Sequence, residues 1–212
     1  MKPFFDLSLY LVTDRSLSLG RSLVEVVEEA VKGGVTMVQL REKDCSSLEF
    51  YQEATALKRL LKPYKIPLII NDRLDIALAS DAEGLHIGQS DLPFSIARQL
   101  LGENKIIGLS VECLKDAQEA NKLDVDYIGI SPVFSTPTKT DTAMAVGIEG
   151  VQKITCQSVH PAVGIGGINK NNAEDIIKAG AEGISVVSAI MSAHEPSRSA
   201  QELLTIVKQS KQ

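Results

Sequence analysis

Along the chain, short runs of β-branched and other apolar residues alternate with longer stretches whose apolar positions recur at helical spacing. The short runs are LYLVTD (9–14), MVQLRE (37–42), PLIIND (67–72), GLHIGQ (84–89), IIGLSV (106–111), YIGISPVF (127–134), PAVGIGG (161–167) and GISVVSAI (183–190). Between and after them lie SLVEVVEEAVKGG, SLEFYQEATALKRLLKPY, RLDIALAS, PFSIARQLLG, LKDAQEANKL, GIEGVQKITC, NNAEDIIKAG and PSRSAQELLTIVKQ. Apolar residues at i, i+3 and i+4 predict helices, and short apolar runs between turn signals predict strands. Each strand–helix unit spans roughly 25 residues, the length a compact barrel needs. The expected fold is therefore an α/β protein, one (β/α)8 TIM barrel, with residues 1–212 as a single domain. Strands without a polar face suit a parallel sheet covered by helices. A doubly wound open sheet is the alternative with the same alternation. A weak repeat supports the series, since AVKGGVTMVQL, ALASDAEGLHIGQ and IIKAGAEGISVVS share a helix end, a small-residue turn and a strand. The turn glycines suit the left-handed residue that closes many helices.

Composition narrows the function without changing the fold. Of 212 residues, 44% are hydrophobic and 23% charged, which is ordinary globular usage. A net charge of −5 argues against a general nucleic-acid surface, so cations for an anionic substrate have to be gathered locally. Cys45, Cys113 and Cys156 are widely spaced, odd in number and without a CxxC, which suggests reduced thiols and a cytoplasmic protein. The early apolar run LSLYLV is too short to span a membrane and lacks a signal-peptide layout. Partners are expected to be small molecules, with no nucleic acid or membrane; the choice between monomer and homo-oligomer stays open.

In a barrel, chemistry belongs to the loops after the strands. Alternation along MVQLREK puts Met37, Gln39, Arg41 and Lys43 on one face, with Val38 and Leu40 on the other. Unpaired buried cations are costly, so Arg41 and Lys43 either join an ion-pair network or bind a phosphate or diphosphate. Asn71–Asp72 ends the third run and Asp91 follows the fourth. Carboxylates beyond adjacent strand ends can share a cation, and oxygen ligation suits Mg²⁺; taken singly, either aspartate could instead cap the helix that follows. GIGGINKNN after strand seven, and strand eight continuing as Val186, Val187 and Ser188, lie where barrels often hold phosphate. A single histidine such as His86, between Leu85 and Ile87, is more often a hydrogen-bonded packing residue than a catalyst, and its role stays open. No Ser–His–Asp or Cys–His set suggests covalent catalysis.

The set TDR, QLREK, IND, GLHIGQxD, SPVFSTPTKTD and VGIGGI resembles the thiamine-phosphate synthase (thiamine-phosphate pyrophosphorylase) family over nearly the whole chain. The resemblance implies a (β/α)8 barrel joining a hydroxymethylpyrimidine diphosphate to a thiazole phosphate, which gives thiamine phosphate and diphosphate. It implies a Mg²⁺-assisted dissociative substitution, with Arg41, Lys43 and Lys139 acting on the leaving group. The pyrimidine diphosphate site it implies is Gln39, Leu40, Arg41, Glu42, Lys43, Asn71, Ser110 and Lys139. Asp72 and Asp91 correspond to the metal ligands. Thr136, Pro137, Thr138, Gly166, Val186 and Val187 correspond to the thiazole phosphate site. This chain departs from the family pattern at Ser90, where an acid is usual, at Ser131 and Ser135, and at Glu112–Cys113. A thiazole tautomerase of the same fold and a non-catalytic phosphate-ligand sensor are the rival functions.

Overall fold

The computed structural model describes residues 2–135 and 144–211. Its strands are β1 (Leu9–Val12), β2 (Met37–Leu40), β3 (Leu68–Asn71), β4 (Gly84–Ile87), β5 (Ile106–Val111), β6 (Tyr127–Ile130), β7 (Ala162–Ile165) and β8 (Gly183–Val186). They close into a barrel in chain order. Every neighbouring pair is parallel, and β1 against β8 closes the ring. The open-sheet alternative is thereby excluded. The covering helices are α1 (Leu23–Lys32), α2 (Ser47–Leu61), α3 (Leu74–Ala79), α4 (Phe94–Leu101), α5 (Leu114–Ala120), α6 (Gly147–Gln157), α7 (Ala173–Lys178), α8 (Ser188–Met191) and α9 (Pro196–Ser210).

Local chemistry explains several boundaries. Ser22 and Ser46 open α1 and α2 through reciprocal bonds with Glu25 and Glu49, which satisfy otherwise orphaned amides. Gly34 and Gly180 take the left-handed conformation expected of their turns, while Asp81 takes it in the second repeat, ALASDAEGLHIGQ. The expected strand 183–190 is corrected: β8 stops at Val186, and residues 188–191 form α8. Val187 at φ −115° and ψ −85° breaks the extended path. A short apolar run does not distinguish a strand continuing from a helix beginning.

The strands separate two cores. Leu11, Val38, Leu40, Leu85 and Ile107 face the helices, within one large apolar cluster. Tyr10, Met37, Ile69, Ile106, Tyr127 and Val163 fill the barrel axis. This is the alternation expected of β2, and it leaves Gln39 and the residues that follow pointing to the C-terminal mouth.

Candidate active site

The mouth opens into a cavity of about 480 Å³. On one side it is lined by Gln39, Arg41, Lys43, Asn71, Asp72, Asp91 and Ser110. On the other it meets Gly166, Val186 and Val187. Residues that are far apart in sequence thus converge because eight parallel strands end at one rim. Thr136, Pro137, Thr138 and Lys139 fall outside the described residues.

Arg41 and Lys43 have partners, but loose ones. An Arg41 guanidinium nitrogen lies 3.6 Å from Asp14, and the Lys43 ammonium lies 3.8 Å from Asp72. Pairs this long, with Lys43 half exposed, leave both cations able to turn to an incoming anion. Glu42, between them, does not line the cavity. Its carboxylate is buried against Arg15 at 3.3 Å, and Arg15 in turn reaches Glu53 at 2.6 Å. Burial first, then the Glu53 charge, pushes the Glu42 carboxyl above its usual range. Leu40 is fully buried in the outer core. The side chains of Leu40 and Glu42 are therefore anchors, which turn their neighbours Gln39, Arg41 and Lys43 toward the mouth.

Asp72 and Asp91 are brought together, and neither side chain caps a helix. The α3 and α4 caps are Arg73 and Pro93, neither making a side-chain cap bond. Asp72 sits at φ +59°, a left-handed turn that lifts its carboxylate off α3. Asp91 accepts the Gly88 N–H at 2.7 Å. Burial, then the hydrogen bond and charge of Asp91, raise the Asp72 carboxyl to about 6. Two neighbouring carboxylates, one of them made costly to ionise by burial and by the other, are a donor set suited to a hard cation. No cluster of three or more such ligands occurs among the described residues, so other coordination positions would fall to water or substrate oxygens.

The glycines after β7 have a structural reason. Gly166 and Gly167 have φ of +103° and +65°. A Cβ on Gly166 would lie 2.9 Å from the Pro132 backbone, and one on Gly167 would lie 2.8 Å from Phe134 Cβ. Val133 and Phe134 donate their N–H groups to the Ile165 and Gly166 carbonyls at 2.8 and 3.1 Å. The loops after β6 and β7 are thus joined along the cavity wall. Val186 and Val187 both line the cavity, and Val186 is buried as well.

Other lining residues escaped the sequence reading. Ser185 is 2% exposed, and its hydroxyl has no hydrogen-bond partner among the described residues. Tyr10 and His86 form part of the floor. Alternation along β1 and β8 was the available signal for Tyr10 and Ser185. His86, whose role the sequence left open, is hydrogen-bonded to Tyr127 and Ser110 at 2.9 Å each. Of the departures from the family pattern, Ser90, Glu112 and Ser131 line the cavity, whereas Ser135 and Cys113 are exposed.

Comparison with known proteins gives a consistent likeness. A family model for thiamine monophosphate synthase matches residues 9–190. The thiamine-phosphate synthase of Syntrophomonas wolfei is 55% identical over 201 residues, 95% of this chain and 96% of that one. That of Clostridium acetobutylicum is 50% identical over 205 residues, 97% of each. Among solved structures, the thiamine phosphate pyrophosphorylase from Pyrococcus furiosus superposes with a TM-score of 0.89 at 40% identity, covering 96% of each chain.

Proposed function

The chain belongs to the thiamine monophosphate synthase family, transferases of thiamine biosynthesis, and on that premise we propose how its cavity divides the work. The substrates are an aminopyrimidine methyl diphosphate and a thiazole phosphate, with or without a carboxylate. Arg41, Lys43, Asn71 and Lys139 hold the diphosphate, and Gln39 and Ser110 face the pyrimidine. Gly166, Val186 and Val187, with Thr136, Pro137 and Thr138, hold the thiazole phosphate. Asp72 and Asp91 hold Mg²⁺, which supplies charge neutralisation to the diphosphate when bound. The convergence of two cations and two carboxylates on one rim, facing the glycine wall across a single cavity, is the observation that supports this reading.

The reaction is a substitution at the methylene carbon. The C–O bond to diphosphate breaks, the electron-rich aminopyrimidine delocalises the resulting positive charge, and the thiazole nitrogen forms the new C–N bond. Diphosphate leaves as a stabilised anion, so the residues need to position and neutralise rather than transfer protons. Arg41 and Lys43 exchange their loose carboxylate contacts for phosphate oxygens as charge develops. The single closed barrel supports one domain over residues 1–212, and three unpaired cysteines support a cytoplasmic location. No helix among the described residues is long and apolar enough to cross a membrane.

Incubation of the purified protein with both substrates and Mg²⁺ is expected to release diphosphate and thiamine phosphate in equal amounts. EDTA should abolish both. Binding of both substrates without product in the metal-replete sample would overturn the reading in favour of a sensor.

A further inference from the structure

Beneath the cavity, five side chains from five strands form one continuous hydrogen-bonded chain. Gln39 turns its amide nitrogen to the Tyr10 hydroxyl at 2.7 Å. The Tyr10 and Tyr127 hydroxyls are 2.8 Å apart. Tyr127 meets His86 Nδ1 at 2.9 Å, and His86 Nε2 meets the Ser110 hydroxyl at 2.9 Å. Tyr10 and Tyr127 are 1% and 0% exposed, so their protons must go to these partners.

Proton counting gives the chain a direction. The Tyr10 oxygen accepts from Gln39, so Tyr10 donates to Tyr127. Tyr127 accepts there and donates to Nδ1 of His86. A neutral imidazole with a bare Nδ1 holds its proton on Nε2, which then donates to Ser110. Ser110 accepts from His86 and keeps its own proton for the cavity that it lines. At the other end, Gln39 keeps its carbonyl oxygen for the same cavity. Burial raises both phenols far above their usual range, so neither loses its proton at physiological pH.

We propose that Tyr127 is a positioning residue: by passing the direction of this chain across the barrel, it holds His86 as the Nε2–H tautomer and presents Ser110 as a donor and Gln39 as an acceptor. The substrate-facing part rests on the cavity being the aminopyrimidine site. Such a ring offers accepting nitrogens beside a donating amino group, which fits one fixed donor and one fixed acceptor. A reversed chain would exchange the two roles and leave unpaired polar groups facing the same ring.

The direction can be tested without substrate or metal, by nitrogen NMR of histidine-labelled protein at pH 8. The chain has three histidines, so the His86 signals are readily separated. His86 is expected as Nε2–H. Gln39→Glu replaces the donor by a carboxylate that only accepts, which should reverse every bond and move the proton to Nδ1. In the Tyr127→Phe background, which keeps the ring, Gln39→Glu should no longer affect His86. An Nδ1–H wild type, or a tautomer indifferent to Gln39→Glu, would overturn the proposal. Turnover separates this from the substrate assignment: Tyr127→Phe should raise KM for the pyrimidine diphosphate about tenfold, the worth of roughly one hydrogen bond, with kcat little changed. A tautomer pattern as expected with KM unmoved would sink the placement of the pyrimidine at Ser110, and leave the chain's direction standing.

Discussion

Replacing Asp72 by Asn should stabilise the metal-free protein while abolishing turnover. The Asp72 carboxyl is raised from 3.8 to about 6, first by burial and then by Asp91. At about 1.36 kcal/mol per pH unit, ionising it in the folded protein costs about 3 kcal/mol more than in the unfolded chain. Its side chain is 31% exposed, so screening reduces this to about 1.5 kcal/mol. The sign follows from which state ionises first. Below pH 4 both states keep the proton, and the group adds no pH dependence. Between pH 4 and 6 the unfolded chain ionises while the folded protein resists, so stability falls as pH rises. Above pH 6 the loss is complete. Asn never ionises, and it tolerates the φ of +59° found at this position. For a chain of this size, about 1.5 kcal/mol corresponds to a melting temperature higher by about 3–6 °C. Calorimetry in EDTA should therefore show the Asp72→Asn gain at pH 7.5 and its disappearance at pH 4. Adding Mg²⁺ should raise the wild type alone and narrow the gap. A variant less stable than wild type at pH 7.5, or a gain equal at both pH values, would refute the account of two mutually repelling carboxylates.

Two further expectations concern Gly166 and Lys139. Gly166→Ala, at φ +103° and 2.9 Å from the Pro132 backbone, should cost about 1–3 kcal/mol and weaken thiazole phosphate binding more than pyrimidine diphosphate binding; thermal melts and substrate titrations check both. Lys139→Met should lower kcat far more than it weakens thiazole phosphate binding, since its charge is assigned to the departing diphosphate; steady-state kinetics with each substrate varied would expose an unchanged kcat.

The repeat of apolar runs and helical stretches was enough to read eight β/α units, because a parallel sheet demands continuous apolar strands with covering helices between them; the closed barrel was separated from an open sheet only by the pairing of β1 with β8. The charged rim was equally legible: alternation along QLREK oriented Gln39, Arg41 and Lys43 correctly. What alternation does not reveal is contact across the barrel. Tyr10 and Tyr127 are 117 residues apart, and their pairing depends on the register of eight strands. The capping alternative for Asp72 could be dismissed only with its left-handed φ in view. The β8 run misled for a related reason, since the turn at Val187 has no glycine or proline to announce it. Glu42 shows the reverse case, where a residue inside a substrate motif serves by pointing away from the cavity.

The floor of the cavity has a consequence for how this enzyme can change over generations. A side chain at Gly108 would fall inside the Tyr127 ring, while loss of the ring would empty the space that the missing side chain leaves. A larger residue at 108 therefore meets a clash if it comes first, and a smaller one at 127 meets a void if it comes first. The two positions behave as one heritable locus. Lineages that diverge in substrate size toward the barrel axis are expected to exchange them together.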